Sequence, residues 1–179
     1  MAEGTVRMAP LLDLPKLLAE YGVESAATLR AAGVEPTLFA DEDNSIAFSA
    51  AGRLLAQAAA DSGCTTIGLA LGRRLGLDVL GVLGHPARFA PDVETALRAL
   101  ILHLHLHDRG AVPALWVRGG NALFGYSIYC ADVPGTQQVY DCALAVCNNI
   151  VGELAGDGWQ ATEVRLFRDA PEQLAPYRQ

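Results

Sequence analysis

The chain has little to offer a nucleic acid or a membrane. Lys and Arg number 13 against 20 Asp and Glu, a formal net charge of -7. No basic cluster interleaved with aromatic residues appears, so this chain by itself repels a phosphate backbone. No apolar run approaches the length of a membrane span, and the N-terminus lacks a charged segment followed by an unbroken apolar one; the expectation is a cytoplasmic chain with no membrane partner. The four cysteines, Cys64, Cys130, Cys142 and Cys147, include no C-x-x-C pair. With Cys142 and Cys147 five apart on a predicted helix, buried free thiols are expected rather than disulfides. The glycine-punctuated stretch from Gly76 to Pro86 has neither the lysine of a phosphate loop nor the Gly-x-Gly-x-x-Gly order. No serine sits in a Gly-x-Ser-x-Gly setting and no carboxylate pair has a spacing suited to acid/base work, so neither an enzyme nor a cofactor is expected.

What is present suffices for one good core: 179 residues, of which 51% are hydrophobic, with no internal repeat or low-complexity linker. Residues 1–10 show no periodicity and read as a flexible lead-in; residues 11–179 read as a single domain. Asp13, with Pro15 in the first turn, opens a helix to about Tyr21, and Ser25 caps a second one that stops at Gly33. Asp41 to Ser45 reads as an acidic loop. Ser49 caps a third helix over Ala50 to Asp61, and Thr65 starts a fourth over Ile67 to Leu75. Gly68 and Gly72 in that fourth helix each cost about 1 kcal/mol relative to alanine, which points to close packing at both positions.

The centre of the chain is the run from Ala90 to Gly110. Val93, Ala96, Leu97, Leu100, Ile101 and Leu104 recur at the spacing of one helical face, whereas strict alternation fails. Pro91 and the acids Asp92 and Glu94 suit the start of this helix; Arg109 and Gly110 suit its end. Beyond it, Ala114 to Arg118 and Ala122 to Cys130 alternate as strands around Gly119-Gly120-Asn121, good chemistry for a tight hairpin. Thr136 caps a long helix with a wide apolar stripe through Val139, Ala143, Val146, Ile150 and Leu154. A third strand is expected over Thr162 to Arg168 and a short helix over Pro171 to Gln179. The fold class that results is α+β: N-terminal helices followed by a small antiparallel sheet covered by long helices.

Several short phrases, taken in order, also resemble a known family. Leu83-Gly84-His85 precedes the central helix and Leu106-His107-Asp108-Arg109-Gly110-Ala111-Val112-Pro113 follows it. Gly125-Tyr126-Ser127-Ile128-Tyr129 lies in the hairpin, Tyr140-Asp141 opens the long helix, and Gly156-x-Gly-Trp159-x-x-x-Glu163-Val164 comes near the end. Their order and spacing resemble the N-terminal effector domain of AraC-type transcriptional regulators, in the arabinose-binding branch, from about Leu11 to Tyr177. The resemblance implies a domain that senses a small-molecule effector, forms a homodimer, and reaches DNA only through a C-terminal helix-turn-helix domain. Relatives continue past Gln179 into that domain, which this chain does not include. The family label does not imply arabinose as the ligand.

The tempting chemistry is His103-x-His105-x-His107. On a strand the three rings would share a side; on a helix only His103 and His107 share a face, with His105 turned about 160° away. Two donors do not make a metal site, so no metal is expected, and a metal-dependent sensor or enzyme using His103 and His107 ranks as an alternative. Asp108 and Arg109 read as a helix-end ion pair or cap ahead of an anchor for a charged ligand. Arg118, Tyr126, Tyr129, Tyr140 and Trp159 are ligand-binding candidates, because amphipathic groups with polar tips suit a mostly apolar cavity; His107, at the end of the central helix, joins them. A second alternative is an oligomerisation module with a filled core and no small-molecule site.

Overall fold

The computed structural model describes residues 3–166 and 174–178, and in them helices predominate around two separate antiparallel strand pairs, an α+β architecture. Helices α1 (Leu14–Glu20) and α2 (Ser25–Ala32) form a hairpin. At its end Gly33 takes a left-handed φ of 69°, which lets the Val34 N–H reach the Leu29 carbonyl at 2.9 Å and closes the last turn. Helix α3 (Phe48–Ser62) runs into α4 (Ile67–Gly72). A 3₁₀ stretch at Leu77–Leu83 and a single turn, α5 (Gly84–Ala87), lead to α6 (Val93–His103), whose Asp92 carboxylate accepts the Thr95 N–H at 2.7 Å as a true N-cap.

Three other expected caps are displaced, Ser25 and Thr136 by one residue and Ser49 by two. Ser25 and Ser49 fall inside their helices, behind Glu24 and Ala47, and Thr136 falls behind Gly135; none of the three positions before those helices makes a side-chain cap bond. Ser49 instead donates to Glu3 and Thr136 to the Val133 carbonyl. At Ser49 the cap bond lost to a residue distant in sequence, and at Thr136 to the turn just before the helix.

Two expectations at the chain ends need correction. The described part of the lead-in is not loose: β1 (Thr5–Arg7) pairs antiparallel with β2 (Ser45–Ala47) in the register Val6↔Ile46, and Met8 is fully buried. A strand of 3 residues is too short to show periodicity, and the residues at the end of the acidic loop supply its partner. Residues 162–166 do not form the expected third strand; they are irregular and mostly exposed, and the remainder of that stretch lies outside the described residues. Of the expected C-terminal helix, Ala175–Arg178 is a 3₁₀ turn, anchored where the Tyr177 hydroxyl donates to the buried Asp141 at 2.7 Å; Pro171 to Gln173 and Gln179 lie outside the described residues.

The hairpin forms as expected. Strands β3 (Ala111–Arg118) and β4 (Asn121–Ile128) pair from Ala111↔Ile128 to Arg118↔Asn121. The turn residues Gly119 and Gly120 have φ of 60° and 79°, two positive values that suit the twist of a two-residue hairpin. One face of the hairpin, with Pro113, Leu115, Phe124 and Tyr126, turns to the core; the other leaves Val112, Trp116 and Leu123 exposed. Helix α7 (Thr136–Ala155) lies between this hairpin and α4.

Three groups of buried side chains make the interior. Met8, Leu14, Leu18, Leu54 and Leu71 belong to the first; Leu77, Leu80, Leu97, Leu100 and Ile150 to the second; Phe48, Ala111 and Val133 to the third. No helix among the described residues is long and apolar enough to cross a membrane.

Candidate functional site

Where the three groups approach one another they leave a cavity of about 130 Å³, walled by Val6 and Leu11, by Phe48 and Leu55 of α3, by Leu80, by Leu100 of α6, by the inner face of the hairpin, and by α7. Among its described lining residues, those carrying nitrogen or oxygen in the side chain are His107, Asp108 and Tyr126, gathered at one end.

This polar end exists because the central helix stops sooner than its sequence pattern implies. The α-helix closes at His103, and Leu104–Leu106 tightens into a 3₁₀ turn. The N–H groups of His107 and Asp108 both reach the Leu104 carbonyl, at 2.8 Å each. The backbone then swings against β1: Arg7 N–H donates to the His107 carbonyl at 2.9 Å, Arg109 N–H to Thr5 at 2.7 Å, and Asp108 forms a bridge with Val6. The pairing satisfies backbone groups that an uninterrupted helix would have carried into solvent, and it turns residues 107 and 108 inward.

Asp108 is 4% exposed and fully engaged. Its Oδ1 accepts the N–H groups of Gly110 (2.7 Å) and Ala111 (3.2 Å), and its Oδ2 accepts the Tyr126 hydroxyl. Burial raises the carboxyl pKa, with the three hydrogen bonds pulling it back. Burial, and then the neighbouring carboxylate, push the Tyr126 phenol well above its ordinary range. The expected helix-end pairing of Asp108 with Arg109 is thus replaced: Asp108 organises the start of β3, while exposed Arg109 donates to the His105 carbonyl at 3.3 Å.

His107 is 7% exposed, and its Nδ1 is buried without a hydrogen-bond partner. Burial, reinforced by the Arg7 charge, lowers its pKa to about 4, so the ring is neutral at physiological pH. An orphaned nitrogen in an otherwise satisfied interior is uncommon and calls for a partner. The cavity also meets Cys142 and Cys147, whose thiols burial pushes up to about 12; they are protonated and serve as apolar wall.

The remaining candidates separate. Tyr140 stands behind Tyr126 at a ring-centroid distance of 6.5 Å, edge to face, its hydroxyl accepting the Ile128 N–H at 3.3 Å. Tyr129 is exposed, its hydroxyl donating to the Arg109 carbonyl at 2.6 Å. Arg118 is exposed at the hairpin tip. Trp159 borders a different feature, an open cleft of about 720 Å³ with Arg73, Arg74, Asn149 and Glu153. The structure therefore brings Tyr126 and His107 to the cavity, sets Tyr140 one ring behind, and places Arg118, Tyr129 and Trp159 elsewhere.

The histidine run does not converge. His103 and His105 are exposed, their Nδ1 atoms bonded to the Ala99 and Leu102 carbonyls at 2.9 and 3.2 Å, while His107 faces inward. Among the described residues no group of three or more His, Cys, Asp or Glu is placed to hold a metal. The sequence reading ranks Asp108 as a helix-end cap ahead of a ligand anchor, and it missed Phe48, Leu100 and Val146 as cavity walls. Asp108 had a signal, a carboxylate followed by glycine before a strand, whereas the apolar walls carry none that sets them apart from core.

Residues 22–179 match the family model described as the arabinose-binding domain of AraC transcription regulator, N-terminal. The chain is 28% identical over 171 residues to the HTH-type transcriptional regulator VirS of Mycobacterium tuberculosis, in both strain CDC 1551 / Oshkosh and strain ATCC 25618 / H37Rv. Each alignment covers 92% of this chain and 49% of the relative, so the chain spans about half the length of the curated relatives it matches.

Proposed function

Because the chain belongs to the family of arabinose-binding N-terminal domains of AraC transcription regulators, we propose that it is the part of such a regulator that senses a small-molecule effector and forms a homodimer, DNA being contacted by a C-terminal domain outside this chain. The single observation that carries the sensing role is the apolar cavity with His107, Asp108 and Tyr126 as its polar lining. An oligomerisation module would have filled that space.

Dimerisation is supported by the outer face of the hairpin, where Val112, Trp116 and Leu123 are between 47% and 57% exposed; apolar residues gathered on one sheet face, rather than scattered singly, suit burial against a second copy. An effector then regulates by binding one arrangement of the dimer more tightly than another, since equal affinity for both shifts no equilibrium. The segment that would touch the effector, residues 107–108, is held to β1 by the Arg7 N–H to His107 carbonyl bond and the Val6–Asp108 bridge, so a ligand-dependent shift at His107 has a direct path to the β1–β2 pair.

Native mass spectrometry of the purified chain tests both halves of the proposal. A dimer that takes up an organic molecule supports it. A dimer that takes up none from any effector panel reduces the domain to an assembly module, and a monomer at micromolar concentration removes the dimerisation half.

A further inference from the structure

We propose that the cavity selects a neutral, predominantly hydrocarbon molecule of about the size of a monosubstituted benzene, whose one polar group hydrogen-bonds to the His107 imidazole, and that it rejects sugars and carboxylates. The inference rests on the cavity being the effector site. Size comes first: an apolar protein cavity of about 150 Å³ accommodates benzene, and this one measures about 130 Å³. A pentose would have to give up the hydration of several hydroxyls for a wall of Leu, Val, Phe and Ile, and each hydroxyl left unmatched costs on the order of 1–3 kcal/mol.

The polar end offers a guest few hydrogen bonds. Both Asp108 oxygens already accept, and the Tyr126 hydroxyl proton is committed to Asp108, so these two groups keep acceptor capacity alone. His107 Nδ1 is the buried side-chain nitrogen or oxygen left without a partner among the described residues. A neutral imidazole nitrogen either donates or accepts, so a hydroxyl or a carbonyl satisfies it equally. Burial keeps this ring uncharged, and the adjoining Asp108 carboxylate repels an anion. A cation would give up its hydration for walls of Leu, Val and Phe, beside a carboxylate that already holds three donors.

The test uses the 179-residue chain and four probes, phenol, toluene, benzoate and L-arabinose, titrated to millimolar concentration while ¹H–¹⁵N NMR follows the amides of Cys147 and Ile150. Phenol is expected to saturate these shifts with a Kd about tenfold below that of toluene, and benzoate and arabinose are expected to leave them in place. His107→Leu should stay folded and abolish the difference between phenol and toluene; Ala143→Met, which fills the space from α7, should abolish binding of both. Saturation by benzoate or arabinose, equal binding of phenol and toluene, or a phenol preference that survives His107→Leu overturns the assignment of ligand class while leaving the cavity as a site. Silence of all four probes overturns the cavity as effector site together with the class.

Discussion

The two faces of α7 solve opposite packing problems. Toward α4 there is no spare room: Cβ atoms at Gly68 and Gly72 would overlap the carbonyl oxygens of Gln138 and Cys142. The approach is sealed by α7 side chains that serve the short helix at both ends. Gln138 Oε1 accepts the Gly68 N–H at 2.9 Å while its Nε2 donates to Thr65, and Asn149 Nδ2 donates to the carbonyls of Arg73 and Leu75. These bonds satisfy terminal groups that a helix as short as α4 leaves open. Toward the hairpin and α6, larger residues, Val139, Val146 and Ile150 on α7 against Phe124 and Leu100, hold the elements apart and leave the 130 Å³ space. Small residues bring backbones together, and large ones prop a cavity open. Stability and binding are thereby assigned to different sides of one helix.

The most damaging way to test that division is Val146→Asp, which sets a carboxylate into the apolar wall with no cation beside it. About 4 kcal/mol of destabilisation is expected, a large part of the stability of a typical domain. Far-UV circular dichroism during a urea titration measures it, and an unchanged midpoint would show that this face of α7 is wet.

A smaller effect is expected from pH. The folded-state pKa of His107 lies near 4, below its ordinary 6.5, because burial disfavours the imidazolium. Between these values the unfolded chain binds a proton that the folded chain refuses, so stability falls as pH drops from about 6.5 to about 4, by about 3 kcal/mol in all. Asp108, whose pKa is raised, pulls the other way. The useful quantity is therefore the difference between the native chain and His107→Leu, in which the loss attributable to His107 should vanish. Parallel stability–pH curves for the two proteins would mean that His107 is solvated, and the orphaned nitrogen would lose its significance.

The sequence was informative wherever a local pattern agreed with its tertiary setting. The apolar period of α6, the Gly-Gly turn of the hairpin, the stripe of α7 and the cost of Gly68 and Gly72 all lead to elements and contacts that the structure contains. It was least informative where a contact distant in sequence decides. Nothing local to residues 104–108 says that β1, a hundred residues earlier, will draw the chain out of the helix, yet that pairing turns His107 inward and separates it from His103. The lead-in likewise became a strand through a partner distant in sequence, residues 45–47. Within the candidate site, Tyr126 and His107 were legible as polar-tipped groups in apolar surroundings. Trp159, Tyr129 and Arg118 fit the same description and lie elsewhere, because side-chain type does not encode which face of which element borders empty space. Phe48, Leu100 and Val146 line the cavity with the same residue types that fill the rest of the core.

The sharpest comparison uses substitutions of one to two carbons on the two faces. Gly72→Ala adds a single methyl group where the Cys142 carbonyl and, at 2.9 Å, the Ala145 methyl already stand. Alanine's helix propensity returns about 1 kcal/mol, but backbone atoms cannot yield as a flexible side chain would, so a net loss of about 2 kcal/mol is expected. Ala143→Val adds two methyl groups toward the cavity, where free volume accepts them; the change should fall within about 1 kcal/mol and reduce ligand binding. Thermal unfolding of the two variants side by side, with Tm compared under identical conditions, decides the matter. If Ala143→Val is as destabilising as Gly72→Ala, the space beside α7 is already occupied by side chains, and the asymmetry between its two faces disappears. If Gly72→Ala is neutral, α4 slides on α7 with little resistance, and the dense face offers no rigid wall against which the cavity could be held open.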